Sequence, residues 1–226
     1  MKDIPVFDTE TGVSTLVLKE IPYKQIAYVK VQSVQPGGLK EHLRECVSFC
    51  RMCGAERVFA TGHPELEQWP LHSSIIPMAC GLSTVEEPPA NLFPVTEQTA
   101  ARWRTIYNER MAAVDNAATL TALDEKKILA SGGAYFVHDS GALLGIGWIE
   151  GSEVLCIAAV ERGAGERVLR TLMTAADSDR VTLQVASTNA RAIRLYEKLG
   201  FIPCGEGIGW HTVWERGAGS CSGQAL

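Results

Sequence analysis

Two side chains near the end of the chain could carry out a proton transfer and position its substrate. They are Asn189 and Tyr196, in the run Asn189-Ala-Arg-Ala-Ile-Arg-Leu-Tyr196-Glu-Lys-Leu-Gly200. A tyrosine phenol acts as a general acid when its O–H points at a forming anion. Asn189 is a good cap for a helix predicted from about 189 to 199, and Gly200 is a typical helix stop. The same residues also fit a plain cap and a tyrosine packed on a sheet.

A short glycine-containing loop upstream could bind a phosphate. Arg162-Gly163-Ala164-Gly165 follows a predicted strand at 154–160 and opens a helix predicted to reach about residue 176. Backbone N–H groups at a helix start are unpaired and carry the positive end of the helix dipole. Small residues let a phosphate approach those groups, so the loop would suit a pyrophosphate. A strand-to-helix turn that needs glycine for its backbone angles explains the loop equally well.

Three cysteines in the first half have the spacing that iron–sulfur enzymes use. They are Cys46, Cys50 and Cys53, spaced C-x3-C-x2-C. With Leu39 and Leu43 before them, they step by four, three, four and three residues, which is the stripe of an amphipathic helix. A regular helix spreads the three thiols over roughly 10 Å, whereas cluster ligands must converge on one point. We therefore predict cysteines packed in a core, with no iron–sulfur cluster and no metal site.

Composition is that of an ordinary globular protein. Hydrophobic residues are 46% of the 226 and charged residues 21%, which is enough to bury a core. A net charge of -5 lacks the basic surplus of nucleic-acid-binding proteins. The first residues lack the apolar run of a signal peptide, and no stretch has the roughly 18 apolar residues of a membrane span. We expect a cytoplasmic protein with reduced thiols and with neither nucleic acid nor membrane as a partner.

The chain is predicted to divide at Glu86-Glu87-Pro88-Pro89, because two consecutive prolines interrupt helices and strands. The division predicts an N-terminal α/β portion, 1–88, and a larger domain, 89–226, whose tail from about 217 is predicted to be disordered. Helices are predicted in the larger domain at 100–114, from 121, at 165–176 and at 189–199. Strands are predicted at 134–138, 143–150, 154–160 and 181–185, and near 202 and 211–214.

The N-terminal portion has a shorter pattern of the same kind. A strand at 26–34, a turn at 36–38, a helix at 39–53 and a strand at 57–60 follow the order seen around the phosphate loop. The order suggests a degenerate internal repeat, although few residues are identical between the two copies. Residues 62–88 have no clear period. Because Pro36 has no N–H to offer a phosphate, we predict that only the second half binds a cofactor.

The run from Asn189 to Phe201, with the strand and loop before it, closely resembles the GNAT superfamily of N-acetyltransferases over about residues 91–215. The resemblance implies an α/β (α+β) fold with a mixed, mostly antiparallel central sheet flanked by helices, and acetyl-CoA as cosubstrate. It implies Tyr196 as the acid that protonates the departing thiolate. The cofactor-binding residues that it implies are Ile157, Ala158, Ala159, Val160, Arg162, Gly163, Ala164, Gly165, Glu166, Arg167, Asn189 and Ala192.

Some of these positions have a more specific implied role. In this fold the strand at 154–160 splays from the strand that begins near Val181, and a backbone N–H within 157–160 polarises the thioester carbonyl in the gap. Asn189 would contact the pantetheine arm, and the small Ala192 would leave room for it. Arg167 stands where the family pattern has a small residue, and its guanidinium could instead bind a phosphate.

The implied reaction transfers acetyl directly to an amine of a small molecule or a peptide. An alkyl amine has a pKa near 10.4, so something must remove a proton at pH 7. Glu150, Glu153 and His138 are candidate bases, and a water chain would serve equally. The acceptor pocket is expected at residues 107–110 and 115–119.

A second function remains open beside the enzyme. The chain could be a catalytically inactive acyl-CoA-binding sensor or scaffold. The N-terminal portion could extend the sheet, cover the acceptor site or form a homodimer contact.

Overall fold

The computed structural model describes residues 5–82 and 89–217, and its contacts divide the chain into two compact units. The first unit comprises residues 1–74 and 208–226, and the second comprises residues 75–207. In the described part of the chain, no helix is both long enough and apolar enough to cross a membrane. Most of the predicted proline boundary, 86–88, and the predicted disordered tail beyond 217 lie outside the described residues.

Strands alternate with helices through both units. The strands are β1 (Val6–Thr9), β2 (Gly12–Val17), β3 (Ile26–Val34), β4 (Arg57–Thr61), β5 (Leu71–Gly81), β6 (Asn91–Pro94), β7 (Ala134–Asp139), β8 (Ala142–Glu150), β9 (Glu153–Ala159), β10 (Arg180–Ala186), β11 (Ile202–Pro203) and β12 (Ile208–Glu215). The helices are α1 (Ile21–Lys24), α2 (Leu39–Met52), α3 (Ala100–Met111), α4 (Asp124–Ser131), α5 (Gly165–Met173) and α6 (Ala190–Lys198), and a 3₁₀ helix spans Pro64–Gln68.

The first unit is a sheet in the order β1-β2-β3-β4-β12, covered by α2. Its pairs are antiparallel except for β3 and β4, which are parallel. The apolar stripe of α2 packs in the core of this unit, where Cys46 and Cys50 are fully buried and Cys53 packs at the edge. The core-packing interpretation of the three cysteines is thus confirmed. Burial raises the pKa of Cys46 to about 11 and that of Cys50 to about 12, so both remain thiols at neutral pH.

The second unit is a sheet in the order β5-β10-β9-β8-β7-β6, with β11 paired to β5. Only β9 and β10 are parallel. Helices α5 and α6 share a core cluster with Ile149, while α3 and α4 share another with the adjacent Trp148. Because neighbouring residues of a strand face opposite sides, the two helix pairs cover opposite faces of this sheet. The predicted mixed, mostly antiparallel α/β fold is confirmed.

The elements differ from the predicted ones mainly before residue 95. The structure adds β1, β2, β5 and β6 to the predicted strands. The division by contacts also differs from the predicted boundary at 88/89. Residues 75–81 of β5 pair with β10, and β12 pairs with β4, so each unit contains a strand from the other part of the sequence. The division at 88/89 into an N-terminal portion and an acetyltransferase domain remains a prediction.

Candidate active site

A V-shaped gap separates β9 from β10 in the second unit. The two strands pair only at Glu153↔Thr182 and Val154↔Leu183. Leu155 is an extra residue, since Trp148 pairs with Cys156 and Ile149 with Val154. Such a bulge bends its strand, so β9 turns away while β10 continues along β5 as far as Ala186. The gap therefore opens toward the C-terminal ends of both strands, as the family resemblance implies.

The loop after β9 presents unpaired N–H groups at the open end of this gap. Gly163 has a φ of 86° and the Ala164 N–H donates to the Glu161 carbonyl at 3.3 Å, which forms a tight turn into α5. A side chain at Gly163 would meet nothing within 4 Å. Within the residues that the structure describes, no partner accepts from the N–H groups of Arg162, Gly163, Gly165, Glu166 and Arg167. This arrangement can bind an anion.

The side chains of Glu166 and Arg167 are engaged elsewhere. The Arg167 guanidinium forms an ion pair with Asp139 and donates to the Pro89 carbonyl at 3.2 Å, so it is directed at the β7–β8 turn. This ion pair lowers the pKa of Asp139. Glu166 accepts from Lys198 at 2.5 Å and from Arg170 at 3.2 Å, and Lys198 is the main cause of its lowered pKa. One terminal nitrogen of Arg167, Nη2, makes both of the contacts of its guanidinium.

Helix α6 begins beside the gap with a capping asparagine. The Asn189 side-chain oxygen accepts from the Ala192 N–H at 3.1 Å, which leaves its NH₂ group available to a ligand. The start of α5 lies close to α6, because a side chain at Gly165 would come within 3.2 Å of Leu195. Asn189 is therefore a cap whose NH₂ group can still donate a hydrogen bond.

Tyr196 projects from α6 into the core cluster that borders the gap. It is 8% exposed, and its ring lies 5.8 Å from that of Phe201. Burial, and then the Cys156 thiol on β9, raise its pKa to about 12. Its hydroxyl has no hydrogen-bond partner among the described residues. The phenol is thus a protonated donor at neutral pH with no protein acceptor.

Cys156 is a site residue that sequence reasoning missed. It follows the bulge at Leu155, packs on the cluster that contains Trp103 and Trp148, and is close enough to Tyr196 to interact electrostatically. Burial raises the pKa of its thiol to about 12, although a backbone hydrogen bond at Trp148 opposes the shift. The predicted strand included this position, but strand alternation alone assigns its face wrongly when a bulge intervenes.

The predicted stretch 157–160 lies along the diverging part of β9. The Val160 N–H donates to the Leu144 carbonyl at 2.8 Å, so it points at β8. Because N–H directions alternate along a strand, those of Ile157 and Ala159 point away from β8 and into the gap. The Ala158 side chain is buried against α3, whereas the Ile157 and Ala159 side chains pack on the α5 side.

None of the three candidate bases lies at the open end of the gap. Glu150 and Glu153 pair with each other across the β8–β9 turn, at the end where β9 still pairs with β10. Gln184 donates to Glu153 at 3.3 Å. His138 lies on β7 with its ring 5.3 Å from that of Phe93. The gap is two strands away from it.

The segment between α3 and α4 lies across the open end of the gap. Arg110 donates to the Val160 carbonyl at 3.2 Å, just beyond the end of β9. Thr188 donates to Asp115 at 2.7 Å, just beyond the end of β10. Leu120 is fixed by two hydrogen bonds to the Asn108 side chain, of 2.8 and 2.9 Å. This is where the acceptor pocket was expected.

The first unit contains the same loop without a gap. Gly37 has a φ of 76° and the Gly38 N–H donates to the Gln35 carbonyl at 2.8 Å, which matches the turn at Gly163. Here Pro36 stands in place of Arg162, and the buried Leu39 in place of Gly165. Pro36 has no N–H to donate to a phosphate, and Leu39 replaces a small residue that would let a phosphate approach the backbone.

The strands of the first unit also stay together. β3 and β4 pair from Ile26↔Arg57 to Lys30↔Thr61 with no register shift. Gly62 follows with a φ of 95°, and a side chain there would come within 2.4 Å of the Val31 carbonyl. The space that the second unit leaves open is therefore closed here by backbone.

Comparisons with known proteins identify the family and the fold. A family model described as the acetyltransferase (GNAT) family matches residues 84–201, more than half of the chain. No curated protein matches. A solved GCN5-related N-acetyltransferase from Kribbella flavida is similar at 13% identity and a TM-score of 0.58, over 93% of this chain and 90% of that one. One from Sphaerobacter thermophilus is similar at 15% identity and a TM-score of 0.57, over 88% and 75%.

A third solved structure, a tandem GNAT protein from the clavulanic acid biosynthesis pathway, is similar at 15% identity and a TM-score of 0.50. The match covers 92% of this chain and 83% of that one. At such identities these likenesses establish a shared fold.

Proposed function

Because the chain belongs to the GNAT acetyltransferase family, we propose that it transfers acetyl directly from acetyl-CoA to an amine of a small molecule or a peptide. The observation that carries this proposal is the gap between β9 and β10, which has unpaired N–H groups at its mouth and a buried, unpartnered phenol inside. A pyrophosphate on the loop and a thioester in the gap would together use both features.

Each group has a role in the proposed reaction. The unpaired N–H groups of the loop, those of Arg162, Gly163, Gly165, Glu166 and Arg167, bind the pyrophosphate. The Asn189 NH₂ binds the pantetheine arm. An N–H of Ile157 or Ala159 polarises the thioester carbonyl. The amine forms the C–N bond, the C–S bond breaks, and Tyr196 donates its proton to the departing thiolate. A nitrogen proton of the new amide then restores the phenol.

The pKa values of the buried groups support this proton transfer. In water a thiol has a pKa near 8.5, so a phenol with a pKa of about 12 would be a poor donor to its thiolate. Burial also raises the pKa of the Cys156 thiol on the neighbouring strand, to about 12. Desolvation of the same kind would raise the pKa of a coenzyme A thiol in the gap and make the phenol a better donor to its thiolate.

The experiment that tests the function uses acetyl-CoA, a panel of amines and the release of free thiol. We expect acetyl-CoA to raise the melting temperature in a concentration-dependent way. Tyr196→Phe should lower kcat about 100-fold, the lower end for general acid catalysis, and leave the Kd for acetyl-CoA unchanged. Tyr28→Phe is the matched control, because Tyr28 is equally buried, at 8%, but lies in the first unit.

Two other outcomes would contradict the role of Tyr196 or favour the inactive acyl-CoA-binding protein over the enzyme. Full turnover by Tyr196→Phe would show that the phenol is not the acid. Binding of acetyl-CoA without thiol release for any amine would favour the inactive acyl-CoA sensor or scaffold.

We also infer that the first unit is a degenerate copy of the second. The order strand, turn with a left-handed glycine, helix and parallel strand occurs in both units. His63 caps the 3₁₀ helix after β4 as Asn189 caps α6 after β10. The likeness to a tandem GNAT protein over 92% of the chain supports the same inference. Only the second unit is then expected to bind acetyl-CoA.

A further inference from the structure

One arginine in the first turn of α5 joins three parts of the second unit. Nη2 of Arg167 donates to the Pro89 carbonyl at 3.2 Å and also to the Asp139 carboxylate. Asp139 is the last residue of β7, and Pro89 stands two residues before β6. Arg167 itself belongs to the helix that the phosphate loop, residues 162–165, opens. One guanidinium therefore ties the end of one strand and the approach to another to the start of α5.

The carboxylate of this arrangement is fixed by a tight turn. Ser140 and Gly141, which join β7 to β8, have φ values of 49° and 83°, so both are left-handed. The Ser140 hydroxyl donates to Oδ1 of Asp139 at 3.1 Å, while Arg167 binds Oδ2. The hydrogen bond from Arg167 lowers the pKa of Asp139, so the carboxylate is ionised at neutral pH. Asp139 therefore offers Arg167 an anionic oxygen in a defined position.

The carbonyl side of the arrangement rests on a buried cluster. Ala90, which follows Pro89, is 6% exposed and packs with Ala164 of the phosphate loop and Val168 of α5. Leu144 belongs to the same cluster, and its carbonyl accepts from two N–H groups at the entry to the loop. The contacts of the guanidinium are therefore connected by packing to both ends of the phosphate loop.

Helix α5 by itself gives no reason for an arginine at this position. A cation in the first turn of a helix faces the positive end of the helix dipole, which is unfavourable. The Asp139 carboxylate offsets that charge, and the ion pair is partly shielded from water, with 41% of the arginine side chain and 38% of the aspartate side chain exposed. The contacts that Arg167 makes, rather than its charge alone, therefore account for its place in the loop.

We propose that Arg167, Asp139 and the Pro89 carbonyl form a clasp that holds the phosphate loop in the conformation that binds the cofactor, with Arg167 as a positioning residue. This inference rests on the proposed binding of acetyl-CoA and adds to it how the loop is preorganised. A loop that is already held in its bound conformation loses less conformational entropy when the ligand binds. Because such coupling is reciprocal, a bound cofactor stabilises the clasp and the approach to β6 in turn.

The test compares Arg167→Ala, Asp139→Asn and the double variant with the wild type by calorimetry with acetyl-CoA. The Kd should rise about 5-fold in Arg167→Ala, and about 3-fold in Asp139→Asn because the contact with Pro89 remains. The double variant should bind no more weakly than Arg167→Ala, since both changes break the same ion pair. In the thiol-release assay, KM for acetyl-CoA should rise by the same factors while kcat stays unchanged. Arg167→Lys keeps a cation with three donors and should recover part of the affinity.

The matched control is an ion pair of the first unit, formed by Arg216 and Glu56. Arg216→Ala and Glu56→Gln should leave the Kd for acetyl-CoA unchanged. Asp139→Asn distinguishes the clasp from a direct contact between Arg167 and the phosphates, because it releases the guanidinium from its carboxylate. Equal or tighter binding of acetyl-CoA by Asp139→Asn would overturn the clasp and show that the carboxylate competes with the cofactor for Arg167.

Hydrogen exchange measures the reciprocal effect. Acetyl-CoA should slow exchange in the peptide that contains β6 in the wild type, and Arg167→Ala should lose most of this protection. The same protection in both proteins would overturn the coupling. A wild type that binds acetyl-CoA but releases no thiol with any amine would contradict the proposed transfer, while the Kd values would still decide on the clasp. A wild type that does not bind acetyl-CoA would overturn the clasp and the proposed function together.

Discussion

Two glycines in equivalent turns differ in what surrounds them. Gly163 and Gly37 have φ values of 86° and 76°, and a side chain at either would meet nothing within 4 Å. Both positions favour glycine for the same backbone reason. The loops differ in that Pro36 has no N–H where Arg162 has one, and the buried Leu39 stands where Gly165 does. Substitutions at the two glycines therefore distinguish the effect of backbone strain from the effect of losing a binding site.

We expect Gly163→Ala to weaken acetyl-CoA binding by about 10-fold or more, since the new methyl group would stand where the phosphate approaches. Gly37→Ala is the control. Each substitution should cost about 1 kcal/mol of stability, because a left-handed residue carries that strain. Calorimetry with acetyl-CoA and thermal melts of both variants measure the two effects.

The same titration counts the binding sites. One acetyl-CoA per chain is expected, and it should be lost by the change at Gly163 alone. Two molecules per chain, or equal weakening by both variants, would contradict a degenerate first unit.

At the scale of elements, a buried histidine joins helix α2 to the β1–β2 turn. His42 is fully buried, with Nδ1 2.8 Å from the Thr9 hydroxyl and Nε2 2.7 Å from the Ser14 hydroxyl. The Cys46 thiol lies 3.7 Å from Nε2. Burial lowers the pKa of His42, while Glu45 and Asp8 oppose the shift. Both ring nitrogens are therefore occupied by neutral partners in the folded state.

This arrangement predicts a loss of stability at acidic pH. The unfolded histidine binds a proton below its ordinary pKa of 6.5, whereas the folded one stays neutral to lower pH. Stability from this group is therefore complete above pH 6.5 and falls as the pH drops from 6.5 toward the folded pKa, by at most about 1.4 kcal/mol per pH unit. Urea denaturation at pH 7.5 and 5.5 measures it.

The variant His42→Gln should be less stable at pH 7.5 and should lose less stability on acidification than the wild type. His138→Gln, in which the replaced ring is only partly buried, should keep the wild-type dependence. A wild-type dependence that persists in His42→Gln would assign the acid sensitivity to other groups.

At the scale of the whole molecule, each unit is completed by a strand from the other part of the sequence. Residues 75–81 pair along the whole of β10, and β12 pairs with β4. Without β5, the buried side chains of Val181, Leu183 and Val185 would belong to an edge strand with an unpaired backbone. The predicted boundary at 88/89 therefore separates β5 from β10, with which it pairs in the second unit.

We expect fragments 1–88 and 89–226, expressed separately, to be insoluble or to lack a cooperative melt. The control is the full-length chain with a protease site introduced between residues 82 and 89 and cut after folding. This protein should keep its melting temperature within a few degrees, since β5 stays paired with β10. Cooperative folding of 89–226 alone, with acetyl-CoA binding, would support the predicted boundary instead.

Local patterns determined most of the helices and the site-bearing strands. Each of the apolar stripes of α2, α5 and α6 is formed by residues of one continuous helix, so its signal is local. The cap Asn189 and the stop Gly200 directly flank the helical stretch that they delimit. The family resemblance over the loop and α6 was likewise carried by adjacent residues, and the GNAT fold followed from it. Each of these features is specified by a short, continuous stretch of the sequence.

Other features depend on residues far apart in the chain, and only the tertiary structure decided them. Strand β5 contains Pro77 and small residues that argue against a strand, yet its pairing with β10 outweighs that preference. The bulge at Leu155 places Cys156 on the cluster that contains Trp103 and Trp148, and no local pattern marks it. Asp115 and Thr188 are 73 residues apart in the sequence, and their hydrogen bond exists only in the folded chain. Periodicity is local, whereas strand pairing and the mouth of a gap are set by contacts that close long loops.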